Sequence, residues 1–408
     1  MNTNANKTEH ADPFHGKRIV ILQIIPELDS GGAERGCVDV AKAIMAAGGD
    51  AIVVSEGGRL VGELKKSGAK YIRLPVKSKN PGVMIANIGR LAEIIRAHKV
   101  DIVHARSRAP AWSAYYACRR TGARFVTTFH AAYKFNGPIK RRYNSIMTKG
   151  QRIIAISHFI AGHIAKNYGI PESRIRIVPR GIDLNKFHQS RVIPHQIEKL
   201  VEIWRVPDDK PVILLPGRLT RVKGHRTFIE ALALRGKKDV RAIIVGSDQG
   251  RTGYRAELQE LINKKNLQDT VHLTDHCDNM PAAYMLASVA VAPSIIEEGF
   301  GRIPVEAQAM GRPVIASALG GHNETIINCE TGLLVKPNDP KALAIAINSS
   351  LLLTTREREV LAEKAIRNVA ENYTVEVMCA KTLDVYGELL SALPTARERA
   401  FLSHKKAA

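Results

Sequence analysis

One stretch constrains this chain more than any other: PSIIEEGFGRIPVEAQAMGRPVIASALGG, residues 293–321. A strand-like run ends at Pro293. The turn Gly299-Phe300-Gly301 follows, then the helix formers Val305 to Met310, then a second strand-like run from Pro313 to Ala316. Strand, glycine turn, helix, strand is one unit of a parallel α/β sheet, because parallel neighbours need a crossover between them. The order puts Glu298 among turn amides at the carboxyl end of a strand. Glu306 falls eight positions later, in the first turns of the helix, where free N–H groups and the helix dipole favour anions. Either glutamate alone would read as a solvated surface acid. The flanking glycines argue for a built turn instead.

The same rhythm runs through the whole chain. Lys17 to Ile25 reads as a buried parallel strand, followed by Gly31-Gly32-Ala33-Glu34 and an apolar-periodic helix from Cys37 to Ala47. Strand, Gly-rich turn, helix is a phosphate-cradling arrangement, but the spacing is not GxGxxG, so a dinucleotide fingerprint is absent. Strands are expected near 51–54, 71–74, 101–105, 124–130, 152–157 and 175–183, with a helix over Met84 to Lys99. His104 reads as a strand-end core residue, and Arg106 and Arg108 just beyond it as anion contacts. A linker is expected near 189–194. The second half restarts with a strand at 211–215, then Gly217-Arg218-Leu219, Lys223-Gly224 and a helix from Arg226 to Leu234. Arg218 and Lys223, at a strand end and just before a helix, suit a pair of cations holding a diphosphate. Further strands at 240–246 and 271–273, a helix at 254–266, the turn Gly320-Gly321 and a last amphipathic helix over 373–390 complete the pattern.

With 408 residues and 45% apolar content, the chain can bury two cores. No apolar run approaches the roughly 18 residues that span a bilayer. Residues 1–16 are polar and read as a disordered leader. Five cysteines, at 37, 118, 277, 329 and 379, form no CxxC pair and fit a reducing compartment. His272, His276, Cys277 and Asp278 lack the spacing of a zinc site, and no Asp-X-Asp is present. The net charge of +21 is lopsided: residues 1–197 hold 32 Lys and Arg against 13 Asp and Glu, a net of +19, leaving +2 for the rest. Basicity confined to one half points to an anionic partner for that half. Its densest segment, 131–151, carries Lys134, Lys140, Arg141 and Arg142 interleaved with Tyr133, Phe135 and Tyr143. That mixture suits an anionic acceptor or a membrane surface. No nucleic-acid motif accompanies the charge, so nucleic acid is not expected as a partner.

Several motifs together resemble the retaining glycosyltransferases of family 4, which have the GT-B architecture. The matches are Pro293-Ser294, Glu298-Gly299-Phe300-Gly301 and Glu306, Gly217-Arg218-Leu219 with Lys223-Gly224, and Gly31-Gly32-Ala33-Glu34. Two departures are Arg302, where an aliphatic residue is usual, and Arg180, where the pattern Pro-Asn-Gly-Ile-Asp has Asn. The resemblance implies an α/β fold of two facing Rossmann-like domains, with the last helix crossing back to the first. The expected boundaries are an acceptor domain at 17–192, a nucleotide-sugar domain at 193–372 and the crossing helix and basic tail at 373–408.

The resemblance further implies a donor site of Gly31, Gly32, Arg218, Lys223, Glu298, Gly299, Phe300, Gly301, Glu306, Gly320 and Gly321. His130, Arg218, Lys223 and Glu298 would be catalytic, with His130 facing the donor sugar. Arg106, Arg108, Lys134, Lys140, Arg141 and Arg142 are the expected acceptor contacts. The expected reaction is metal-independent transfer of a mannose- or glucose-type hexose from GDP-mannose or a UDP-hexose, with no cofactor. The acceptor would be an anionic, lipid-linked saccharide of lipopolysaccharide core or another envelope glycan, met at the cytoplasmic face of the inner membrane. A nucleotide-sugar epimerase or a glycogen-type phosphorylase would share the architecture. The epimerase would need no acceptor, and the phosphorylase would need pyridoxal phosphate on a lysine.

Overall fold

The structure is a computed structural model of the chain and describes residues 14, 16–29, 31–250 and 252–391. The expected disordered leader at 1–16 falls almost wholly outside these residues, and the basic tail beyond 391 does so entirely. The chain forms two compact units. The first comprises residues 1–156, 160–178 and 376–408, and the second residues 157–159 and 179–375. The chain leaves the first unit after Val178, ahead of the expected boundary at 192. The reason is pairing distant in sequence: the Ile182 amide donates to the Tyr373 carbonyl at 2.8 Å, and Gln189 Nε2 donates to the Met310 carbonyl at 3.0 Å.

The first unit holds seven strands: β1 (Val20–Ile24), β2 (Asp50–Ser55), β3 (Lys70–Arg73), β4 (Ile102–Ala105), β5 (Arg124–Phe129), β6 (Arg152–Ala155) and β7 (Ile175–Ile177). They pair in the order β3-β2-β1-β4-β5-β6-β7, all parallel. The second unit holds β8 (Val212–Pro216), β9 (Arg241–Val245), β10 (Val271–Thr274), β11 (Val289–Ala292), β12 (Val314–Ser317) and β13 (Leu333–Val335). Their order is β10-β9-β8-β11-β12-β13, again parallel throughout. Both sheets are doubly wound, with helices between successive strands. Central strands such as β8, β9 and β11 are buried along their whole length. This is why they read as unbroken apolar runs: a parallel sheet is covered on both faces.

Several helices differ from expectation. The helix Pro81–Ala97 starts before Met84, because Asn80 Oδ1 accepts the Gly82 amide at 2.9 Å and Pro81 takes the first helical position. A helix over Arg108–Thr121 follows β4 and ends at Gly122 in the left-handed region. The expected linker at 189–194 is instead a short 3₁₀ turn running into a helix, Pro194–Trp204.

The last helix, Val375–Ser391, returns to the first unit, as the fold class requires. Its Tyr386 is fully buried and lies 2.6 Å from His104 Nδ1, while His104 Nε2 lies 2.6 Å from the Thr128 hydroxyl. With both ring nitrogens engaged and burial holding its pKa well below the usual range, His104 is a neutral core residue. Glu388 on the same helix accepts Arg152 at 2.6 Å and Arg176 at 2.8 Å, which pins the helix to β6 and β7.

Candidate active site

In a doubly wound sheet, ligands bind beyond the carboxyl ends of the strands where the strand order reverses. In the second unit that point lies between β8 and β11, which pair through Ile213–Val289 and Leu214–Ala290. The loop after β8 carries Arg218 and Lys223, and the loop after β11 carries Glu298. The two loops meet backbone to backbone at Gly224. Its φ is +73°, and a Cβ there would fall on the Pro293 carbonyl oxygen. Only glycine serves both demands.

That approach brings Lys223 Nζ within 2.7 Å of Glu298 Oε1, with both side chains about one-fifth exposed (19% and 21%). The Ser294 hydroxyl donates to the same oxygen. Burial works to raise the Glu298 pKa, but the charges of Lys223 and His322 and the hydrogen bonds from Lys223 and Ser294 leave it lowered. The carboxylate is therefore ionised, and its Oε2 takes no hydrogen bond from the described residues. Arg218 is exposed and forms no ion pair among the described residues. A fixed carboxylate paired to one cation, with a second, unpaired cation on the same loop as the first, can accept hydroxyl hydrogen bonds and hold a diphosphate together.

The glycine turns fix the rest of this site. Gly301, with φ +87°, lets His322 pack against its Cα where any Cβ would collide with the ring. The buried His322 lies 3.0 Å by Nδ1 from the Ser317 carbonyl, and burial lowers its pKa against the pull of Glu298. The Gly321 amide donates to the Glu298 carbonyl at 2.8 Å, tying the Gly320-Gly321 turn to the acidic loop. Phe300 is buried edge-to-face with Tyr373 at 5.6 Å, and the Gly299 carbonyl accepts the Ser157 hydroxyl at 2.6 Å.

Glu306 sits inside the helix Arg302–Ala309 and is buried. Its Oε1 accepts Arg302 Nη2 at 2.8 Å, and its Oε2 accepts the hydroxyl of fully buried Tyr284 at 3.0 Å. Burial, and then the Glu306 charge, push the Tyr284 phenol well above its usual range, so it stays a donor.

The corresponding point of the first unit lies between β1 and β4. There the helix begins at Gly32, five residues before the expected Cys37, with Gly31 as its cap. The Glu34 carboxylate folds back over Gly31, so the loop already faces an acid. Arg106 is only 5% exposed. Its Nε donates to Gln23 Oε1 at 2.7 Å, and its buried Nη2 has no hydrogen-bond partner. Arg108 is half-buried, donates to Asn144 Oδ1 at 2.9 Å and lies 4.3 Å from the centre of the Tyr133 ring. Lys134, Lys140, Arg141 and Arg142 are exposed, and Arg141 reaches the Asn167 carbonyl at 3.1 Å and lies over Phe135. Arg108 is thus joined through Asn144 to the helix Pro138–Asn144 that bears the last three cations, whereas Arg106 is enclosed beside β1. His130 follows β5 and is half-buried. Among the described residues, no group of three His, Cys, Asp or Glu side chains is placed to hold a metal ion, and no helix is long and apolar enough to cross a membrane.

Sequence reasoning missed Tyr284, His322 and Ser157, which reach the site from other elements. It also missed the Arg302–Glu306 pair, although a cation and an acid four apart at a helix start was a legible signal.

Two doubly wound units in one chain, the second with cations and acids at its switch point, define a two-domain GT-B protein of the nucleotide-sugar class. Residues 196–368 match the family described as glycosyl transferases group 1, and residues 30–186 match glycosyltransferase family 4. A crystal structure of a glycosyltransferase from Rickettsia africae is 39% identical, covers 92% of this chain and 100% of its own, and superposes with a TM-score of 0.85. The D-inositol 3-phosphate glycosyltransferase of Xylanimonas cellulosilytica is 28% identical over 72% of this chain and 73% of its own length. Anabaena HepE in complex with UDP and glucose shares the fold, with 23% identity, a TM-score of 0.77 and coverage of 91% of this chain and 99% of its own. The chain belongs to the GT-B glycosyltransferases of group 1 and family 4.

Proposed function

We propose that this protein is a retaining, metal-independent hexosyltransferase that moves a mannose- or glucose-type sugar from GDP-mannose or a UDP-hexose to an anionic saccharide acceptor. The observation that carries the donor half is the Lys223–Glu298 pair, at 2.7 Å, at the second switch point, with the unpaired Arg218 on the same loop as Lys223. Breaking an anomeric C–O bond puts charge on the departing diphosphate and on an oxocarbenium-like sugar. Arg218 and Lys223 offset the first, aided by amides of the Gly299–Gly301 and Gly320-Gly321 turns. Glu298 Oε2 accepts from the sugar hydroxyls and holds the ring in line. Glu306 accepts from the nucleoside ribose. His130, after β5, is assigned to the donor sugar, and Gly31 and Gly32 to the diphosphate and acceptor. UDP and glucose bound to HepE support a nucleotide-sugar donor.

The acceptor half rests on charge. Arg106 is a buried guanidinium with an unsatisfied Nη2, and Arg108, Lys134, Lys140, Arg141 and Arg142 supply further cations in the same unit. The name D-inositol 3-phosphate glycosyltransferase on a relative supports a phosphorylated acceptor. We place the acceptor in lipopolysaccharide core or another envelope glycan, lipid-linked, with the enzyme peripheral at the cytoplasmic face of the inner membrane. The test is transfer from radiolabelled GDP-mannose or UDP-glucose to delipidated core saccharide. Label appearing in the acceptor is expected, with the anomeric configuration kept and activity unchanged by EDTA. No transfer from any nucleotide sugar would overturn the reading, and consumption of the donor without acceptor would mark an epimerase.

A further inference from the structure

Arg302 stands where helix physics argues against a cation. It is the first residue of the helix Arg302–Ala309, at the positive end of the helix dipole. Its partner Glu306 lies four residues toward the C-terminus, the weaker of the two orders for such a pair. Its Nε is buried without a hydrogen-bond partner. A residue serving helix stability would be acidic here. Residues that break a local rule this way are expected at functional positions.

What Arg302 does serve is the Glu306 carboxylate. Each carboxylate oxygen can accept two hydrogen bonds. Arg302 takes one site on Oε1, at 2.8 Å, and Tyr284 takes one on Oε2, at 3.0 Å. By that count one acceptor site remains on each oxygen of a carboxylate held from two sides. That is the complement of two adjacent hydroxyls. We infer that Arg302 and Tyr284 are positioning residues that turn Glu306 into a reader of a vicinal diol, so that the protein selects ribonucleoside over 2′-deoxyribonucleoside diphosphates through this clamp. The inference rests on the donor-site reading above and adds to it two residues and a selectivity.

The test is calorimetric titration of the full chain with UDP, 2′-deoxy-UDP, GDP and 2′-deoxy-GDP. Wild type should favour the ribo form by about ten- to a hundredfold, the cost of one unmade hydrogen bond to a charged group. Arg302→Leu should bring that ratio within about threefold, Tyr284→Phe should lower it less, and Arg302→Lys should restore part of it. Because Arg302→Leu leaves the buried Glu306 carboxylate without its cation, its Tm should fall, so the ratio is read well below each variant's melting transition, where ribo and deoxy forms meet the same folded protein. A ribo-to-deoxy ratio unmoved by Arg302→Leu overturns the clamp while leaving the donor site standing. A wild type that binds both forms equally also overturns it. A wild type that binds no nucleoside diphosphate overturns the donor-site reading itself, and the clamp with it.

Discussion

The two sheets share one strand order, yet their switch points carry opposite kinds of chemistry. Beyond β8 and β11 each buried acid has a cation: Lys223 on Glu298, Arg302 on Glu306. Beyond β1 and β4 the buried cation Arg106 leans on a neutral amide, Gln23. The imbalance extends to whole units, with 34 Lys and Arg against 16 Asp and Glu in the first and 26 against 23 in the second. A nucleotide sugar presents phosphates and hydroxyls together, and a mixed site answers both. The anionic acceptor proposed above would ask only for cations. On that proposal one architecture hosts two binding tasks, because the fold fixes where a site lies and the loops fix what it is.

The largest test of this division is Glu298→Ala, which removes the carboxylate proposed to face the sugar and strands Lys223. Turnover measured on nucleotide sugar should fall on the order of 10²–10³-fold. Full activity would dissolve the contrast. Acid stability comes next. Burial drives the His225 pKa down to about 4, so the folded second unit keeps this ring neutral while the unfolded chain protonates near 6.5. Its contribution is complete above that unfolded value and is lost as the pH falls toward 4, about 3 kcal/mol in all. Urea unfolding at pH 7 and pH 4.5 should show that loss in wild type and a smaller one in His225→Gln. Arg106→Met addresses the first unit. The acceptor KM should rise about tenfold, the loss of one charge-assisted contact, with nucleoside diphosphate affinity unchanged. A matching loss of nucleotide affinity would mean that Arg106 serves the donor rather than the acceptor. The smallest effect belongs to Glu388→Gln. Burial acts to raise that pKa, but Arg176 and Arg152 leave it lowered. The stabilisation is present above the unfolded carboxyl range and lost as the pH falls through the lowered folded value. The variant should melt about 1 kcal/mol earlier at pH 7, since a third of the side chain is solvated, and the gap should close in acid.

Much of the fold was legible because parallel strands covered on both faces must be apolar throughout, as in Val212–Pro216. The helix Arg108–Thr121 escaped because Pro110 and paired arginines blur its apolar period. The first boundary was misplaced by fourteen residues because the pairing of Ile182 with Thr374 spans most of the second unit and leaves no local mark. At the site, Lys223 and Glu298 were legible through several motifs read together, each weak alone. Tyr284 and His322 were not, because each reaches its glutamate or glycine by packing from another element. Glu306 was expected as a donor-binding acid, but Arg302 and Tyr284, which hold it from both sides, were not expected.

The return of Val375–Ser391 to the first sheet sets a timetable for synthesis. Residues up to 178 leave the ribosome early, but the helix that buries His104 and pairs Arg152 and Arg176 is made nearly 200 residues later. At translation rates of about 5–20 residues per second that is a wait of roughly 10–40 s. For that interval the nascent first sheet lacks the helix that covers His104, while the second unit, contiguous but for three residues, is being made.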